Sequence, residues 1–375
     1  MPQTPSQVDP DGLLEYSVVY TDRALNHMSA RFQQVMNDVS SLLKQTYNAH
    51  SSIIVPGSGT FGMEAVARQF ATDRRCLVIR NGWFSYRWSQ IFEMGDIPAQ
   101  TEVMHAQRDG DNTQAPFEPA PIETVVAEIR EKAPELVFAP HVETASGMLL
   151  PDDYLKAVAD AVHEVGGLFV LDCIASGALW VDMQACGVDV LISAPQKGWS
   201  SSPCAAMVML SEAARRRIDE TTSTSYACDL RKWLQIMETY ENGGHAYHAT
   251  MPTDGLARLR DMMLATREFG LDAARARQQE LGDRVRESLE NHGFPSVSGA
   301  GFRSPTVVVS YTDDAGIQSG RKFIDLGIQS AAGVPLMCDE GDSFQSFRIG
   351  LFGLDKLENV DRTVDQLEQA LERLG

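Results

Sequence analysis

Between Leu168 and Pro203 two short apolar runs break off abruptly. Leu168 to Leu171 ends on a carboxylate, Asp172, and Val190 to Ser193 leads into a loop of Pro, Gln, Gly and Ser that carries Lys197. Short apolar runs bounded by turn residues read as strands buried on both faces, the kind found in parallel sheets. Further runs of this kind lie before Gly57, at Cys76 to Ile79, at Leu136 to Ala139 and at Ala205 to Leu210. Helical periodicity fills the intervals, from about His27 to Tyr47, from near Phe61, from Ile122 to Lys132, from Pro151 to Val165 and from Glu212 to Asp219. Strands that alternate with amphipathic helices pack as a mostly parallel sheet. Ligands then gather beyond the carboxyl ends of the strands, where this chain concentrates its polar residues.

Asp172 and Lys197 together point to one chemistry. A lysine among glycine and small polar residues has little apolar surface to lie on, and its amine, if kept partly neutral, forms an imine with an aldehyde. Pyridoxal phosphate is such an aldehyde, and its ring nitrogen requires a carboxylate partner to stay protonated. A strand-end aspartate meets that need. The same two residues have a plainer reading, since strand-end aspartates cap helices and loop lysines are commonly solvated.

The other strand exits carry similar signals. SSIIVPGSGTFGMEAVARQF sets a glycine-rich turn before a helix, where free backbone N–H groups hold a phosphate. Gly57, Gly59 and Gly62 also match a dinucleotide fingerprint, but the acidic ribose partner is missing from the end of the next strand, which leads to Arg80, Asn81 and Gly82. An arginine suits a 2′-phosphate, so that reading stays open. WFSYRW, after Gly82, offers rings that stack on a flat cofactor or pack between domains. HVETASG brings hydroxyls that bond either a ligand or their own turn.

A chain of 375 residues is long enough for two domains. Its net charge of −19 argues against nucleic acid and anionic membrane as general partners, because the overall field repels polyanions. The six cysteines, Cys76, Cys173, Cys186, Cys204, Cys228 and Cys338, show no metal-ligand or CxxC spacing and fit a reducing, cytoplasmic compartment. Residues 1–12 read as a loose polar arm without a targeting pattern, and no apolar run approaches membrane-spanning length.

GSGT, NG-x-F, ET-x-SG, LDCIAS and QKG occur in that order, followed by AYHATMP at 246–252 and FRIGLFG at 347–353. With these motifs the chain from about residue 25 onward resembles the class V aminotransferases of the pyridoxal phosphate fold-type I superfamily, most of all the alanine/serine–glyoxylate branch. The resemblance implies Lys197 as the residue bonded to pyridoxal 5′-phosphate and Asp172 as the partner of its ring nitrogen. It implies Ser58, Gly59, Thr60 and Gln196 at the phosphate, Phe84 stacked on the ring and Thr144 near the phenolic oxygen. Tyr247 and Thr250 would reach the phosphate of a neighbouring subunit, which makes a homodimer with shared active sites part of the expectation. Arg348 would hold the substrate carboxylate through its planar fork. The implied reaction is transfer of an amino group from a small amino acid to a 2-oxo acid such as glyoxylate or pyruvate.

The implied fold is α/β, with a large domain built on a mostly parallel seven-stranded sheet and a smaller α+β C-terminal domain. Its expected limits are an N-terminal segment 1–25, the large domain 26–255 and the small domain 256–375. The C-terminal part reads as a long helix from Gly255 to His292, strands at 305–311 and in FRIGLFG, and a closing helix from Leu357 to Leu374. One departure concerns the substrate pocket: a Gly-Pro-rich segment of the relatives is replaced here by EYSVVYTDRALNHM, which leaves open whether the donor is alanine, serine, aspartate or a phosphonate such as 2-aminoethylphosphonate. A cysteine desulfurase-like lyase would share the fold, with Cys338 as its one candidate nucleophile; the acidic neighbours Asp339, Glu340 and Asp342 disfavour a thiolate there.

Overall fold

The computed structural model describes residues 13–110 and 112–374, so the arm expected over residues 1–12 lies outside the described residues. The apolar runs form strands β1 (Ser51–Pro56), β2 (Arg75–Arg80), β3 (Gln100–His105), β4 (Leu136–Pro140), β5 (Leu168–Asp172), β6 (Val190–Ser193) and β7 (Ala205–Leu210). They make one seven-stranded sheet in the order β1-β7-β6-β5-β4-β2-β3. β7 runs antiparallel to its neighbours β1 and β6, and every other pair is parallel. β4 to β7 are buried along their whole length, which is why they read as continuous apolar runs. The edge strand β3 is only half-buried and keeps polar residues, so no apolar run betrays it in the sequence.

Helix Ala30–Tyr47 buries Phe32, Val35, Met36, Val39, Leu42 and Leu43. It begins later than the periodicity from His27 implies, because Ser29 caps it by accepting from the Phe32 N–H. Asn26 turns the chain just before, its side chain accepting from the Met28 N–H at 2.8 Å. Such a cap is worth about 1 kcal/mol. Residues 13–20 form no strand. The chain is tied down from the end of this segment onward: Tyr20 Oη donates to the Met251 carbonyl and the Leu25 N–H to Asp254 Oδ1, both at 3.1 Å.

A second, antiparallel sheet has the order β8-β10-β9, from β8 (Val307–Tyr311), β9 (Ala331–Ala332) and β10 (Ser346–Gly350). Alternation along β10 decides where its side chains go. Phe347 and Ile349 enter a core with Leu281, Val285, Val364 and Leu367 from two covering helices, Leu271–Asn291 and Val360–Leu374. Ser346 and Arg348 therefore face the other way. On that side Val307, Val309 and Tyr311 pack with Val142, Ala145 and Met148, beside the strand exits of the large sheet.

Two expected helices are each divided. The stretch from Gly255 to His292 is two helices, Thr253–Phe269 and Leu271–Asn291, broken at Gly270, whose φ of 102° suits glycine and interrupts a helix. The closing helix is likewise split at Asn359 into Leu354–Glu358 and Val360–Leu374.

Candidate active site

The parallel strands β1, β2, β4, β5 and β6 all end on one edge of the sheet, and the polar residues after them meet there. β1 is followed by Gly57, at φ 130°, and then by helix Gly59–Val66. The first amides of a helix have no partner within it, and the side chain of Ser58 does not cap them. Glycines let this helix lie close: a Cβ on Gly59 would come within 2.5 Å of Ile174, and one on Gly62 within 2.5 Å of the Ala206 Cβ.

Ser58, Gly59, Thr60, Phe84, Thr144, Asp172, Gln196 and Lys197 all line one cavity of about 190 Å³. A larger cavity of about 480 Å³, lined by Arg80, His105 and the turn near Asp339, contains no lysine and no thiol. The smaller one is the cavity that brings a lysine and a buried carboxylate together.

Asp172 is buried and stands opposite Pro140 on β4 and Ile192 on β6. Its Oδ1 accepts from the Ile174 N–H at 2.9 Å, and among the described residues nothing donates to Oδ2. Burial pushes its carboxyl up to about 7, helped by the nearby Glu143 charge and opposed by the Ile174 N–H, Arg87 and Lys197. Lys197 shifts the other way: burial lowers its pKa first, then repulsion from Arg348, against attraction from Asp172. Gln196 Oε1 is buried without a partner among the described residues.

Arg348 reaches the same place from β10. Its Nε donates to the Ala332 carbonyl at 2.9 Å, which leaves both ends of the fork without a donor-acceptor pair among the described residues. Its guanidinium lies 5.5 Å from the Phe84 ring centroid. Tyr247 and Thr250 are not brought into the cavity. They lie exposed and bond to each other at 3.0 Å.

Two residues that the motif reading passes over hold the site together. Glu143, fully buried, receives the Phe84 and Ala145 N–H groups on Oε1, at 3.2 and 3.0 Å. Its Oε2 accepts the Ser85 N–H and hydroxyl at 2.8 and 2.7 Å. It thus caps helix Trp83–Gly95 from another strand exit and anchors Phe84 to the segment bearing Thr144. Gly82 is required beside it, since a Cβ there would meet Glu143 Cγ at 2.7 Å. Arg87, one helical turn beyond Phe84, donates to Thr60 Oγ1 at 3.1 Å and lies 5.1 Å over the Phe84 ring. Its spacing from Phe84 was the available signal, because residues three apart share a helix face.

With Glu143 occupied by amides, the basic side chains Arg87 and Lys197 line the cavity and Arg348 approaches it over the Phe84 ring. The pocket is set for anions. The aminotransferase class-V family model matches residues 3–329. The chain belongs to the class V aminotransferase family. It is 29% identical to 2-aminoethylphosphonate–pyruvate transaminase 1 of Burkholderia lata, over 95% of this chain and 94% of that protein. It is 27% identical to alanine–glyoxylate aminotransferase 1 of Saccharomyces cerevisiae, over 72% of this chain and 71% of that one. The fold matches the crystal structure of an alanine–glyoxylate aminotransferase from Nostoc sp. with a TM-score of 0.77 at 23% identity, covering 92% of this chain and 88% of the other. As in that class V structure, the architecture is the fold-type I aminotransferase arrangement.

Proposed function

We propose that this aminotransferase uses pyridoxal 5′-phosphate to move the amino group of a small amino acid onto glyoxylate or pyruvate. One observation carries the reading: a lysine amine with lowered proton affinity and a buried carboxyl with a free oxygen face one cavity that also receives an uncapped helix N-terminus. The residues fit the cofactor. Oδ2 of Asp172 lacks a donor that a protonated ring nitrogen supplies, and Gln196 Oε1 lacks one as well.

Ser58, Gly59, Thr60 and Gln196 would hold the phosphate, Phe84 would cover one face of the ring and Thr144 would lie near the phenolic oxygen. When bound, the cofactor supplies an electron sink for the bonds around the substrate Cα. Asp172 would pair with the ring nitrogen, and its raised proton affinity would let it share the proton held there. Lys197 would accept a proton at Nζ and give it back, a task that its lowered proton affinity favours. Arg348 orients the substrate by pairing its fork with a carboxylate. A phosphonate fits the same fork, which keeps 2-aminoethylphosphonate as the second donor, supported by the Burkholderia relative.

A desulfurase is less well supported. Cys338 is buried, its Sγ donates to the Arg80 carbonyl at 3.4 Å, and burial pushes its thiol up to about 12.

We infer a homodimer in which Tyr247 and Thr250 serve the partner's site; their exposure away from this chain's own cavity supports it. The proposed domain boundary lies at Gly270 rather than at 255, because Leu256, Leu259 and Met263 pack in the core of the large sheet while Leu281 and Val285 pack in the small one. A cytoplasmic location is supported by six unpaired cysteines. Among the described residues no helix is long and apolar enough to cross a membrane.

The test is to offer donors with isotope-labelled amino nitrogen, alanine, serine, aspartate and 2-aminoethylphosphonate, each with glyoxylate and with pyruvate. Label appearing in glycine or alanine identifies donor and acceptor together. Label remaining in every donor would refute the transaminase reading.

A further inference from the structure

Four positions beyond Arg348, FRIGLFG carries Phe352, to which neither charge nor hydrogen bonding assigns a role. Its ring centroid lies 4.5 Å from Lys197 Nζ. The two turns that bear these residues are tied together. Ser200, whose φ is 55°, donates its N–H to the Lys197 carbonyl at 3.1 Å, and its Oγ accepts the Leu354 N–H at 2.6 Å. On the other side Lys356 Nζ donates to the Phe352 carbonyl at 3.0 Å. Gly353, at φ 110°, allows the sharp exit that aims the ring inward.

We propose that Phe352 is a positioning residue for Lys197: its ring seats the ε-amine whenever that amine is not covalently engaged, and so fixes both its location and its proton affinity. The inference rests on the transaminase reading, in which Lys197 is repeatedly released. The face of an aromatic ring attracts an ammonium ion, and the attraction grows as water is excluded. The groups facing the amine are few. Arg348 on β10 repels its charge and Asp172 at the end of β5 attracts it. Lys356 is turned to the Phe352 carbonyl. The ring therefore acts with Asp172 against burial and Arg348. A released amine without such a seat would swing away from the cavity, since Lys carries four rotatable stem bonds.

The test follows covalent capture of added pyridoxal 5′-phosphate by the full-length protein freed of cofactor, read as visible absorbance against pH. Only the neutral amine adds to the aldehyde, forming a C=N bond and releasing water. In Phe352→Leu, which keeps bulk without the π face, proton affinity is expected to fall about three- to tenfold, so the midpoint of the rate profile moves about half to one pH unit lower. Phe352→Tyr is expected to keep the parent profile. Should Phe352→Leu fail to fold, Phe352→Trp is expected to raise the midpoint. A Leu or Trp midpoint equal to the parent's would overturn the proposal while leaving the transaminase reading intact. No capture by the parent protein at any pH would overturn both.

Discussion

Asp172 shows how far one residue's surroundings govern its behaviour. Burial holds its carboxyl at about 7, against an ordinary value of 3.8. A carboxyl whose pKa rises on folding contributes its full stability below the unfolded value, and loses it as pH climbs through the folded one. Asparagine removes that loss. In the cofactor-free protein, Asp172→Asn is therefore expected to be more stable than the parent near pH 8, by on the order of 1–4 kcal/mol. The gap should close toward pH 4, and denaturant titrations that find it equal at both pH values would contradict the assignment. At this scale the sequence pointed to Asp172 and Lys197 because each stands at a strand exit, and the structure places both on one cavity. Glu143 and Phe352 were not readable. Glu143 acts on amides nearly sixty positions away in the chain, at Phe84 and Ser85, and the role proposed for Phe352 would act through a ring face that no motif spacing encodes.

Among the elements, helix Gly59–Val66 is the most demanding, because it must approach the sheet at two glycines. The two are not equivalent. A methyl group at position 59 meets Ile174 Cδ1, the end of a flexible side chain, whereas one at position 62 meets the Ala206 Cβ, which is fixed to β7. Gly62→Ala is therefore expected to cost about 1–3 kcal/mol in denaturant unfolding, and Gly59→Ala distinctly less. The opposite order would mean that Ile174 cannot turn aside. Apolar runs gave away the buried parallel strands because both of their faces are covered. The same rule hid the half-exposed edge strand β3. Helical periodicity carried straight through Gly270, since two helices joined by one residue keep nearly the same apolar spacing. Only the glycine itself marks the break.

For the whole molecule, the alternation of strands and helices and the order of the motifs conveyed the α/β architecture, but a single chain cannot display the shared site that we propose. Tyr247 and Thr250 provide the means to detect it. Neither Lys197→Ala nor the double variant Tyr247→Phe, Thr250→Ala is expected to be active alone. Mixing them under conditions that exchange subunits should restore activity, because one site of each hybrid then combines an intact lysine with intact residues from its partner. Continued inactivity in a demonstrated hybrid would place Tyr247 and Thr250 in their own subunit's site or outside it. The central claim, that Lys197 and Asp172 work on pyridoxal 5′-phosphate in this cavity, is tested most directly by the visible spectrum of the purified protein as donors are added singly, with Lys197→Ala alongside. A yellow parent protein whose band bleaches with particular donors and returns with glyoxylate or pyruvate, beside a Lys197→Ala protein lacking that band, is the expected result. A parent that stays colourless after incubation with pyridoxal 5′-phosphate, or a Lys197→Ala protein with an unchanged band, would contradict it.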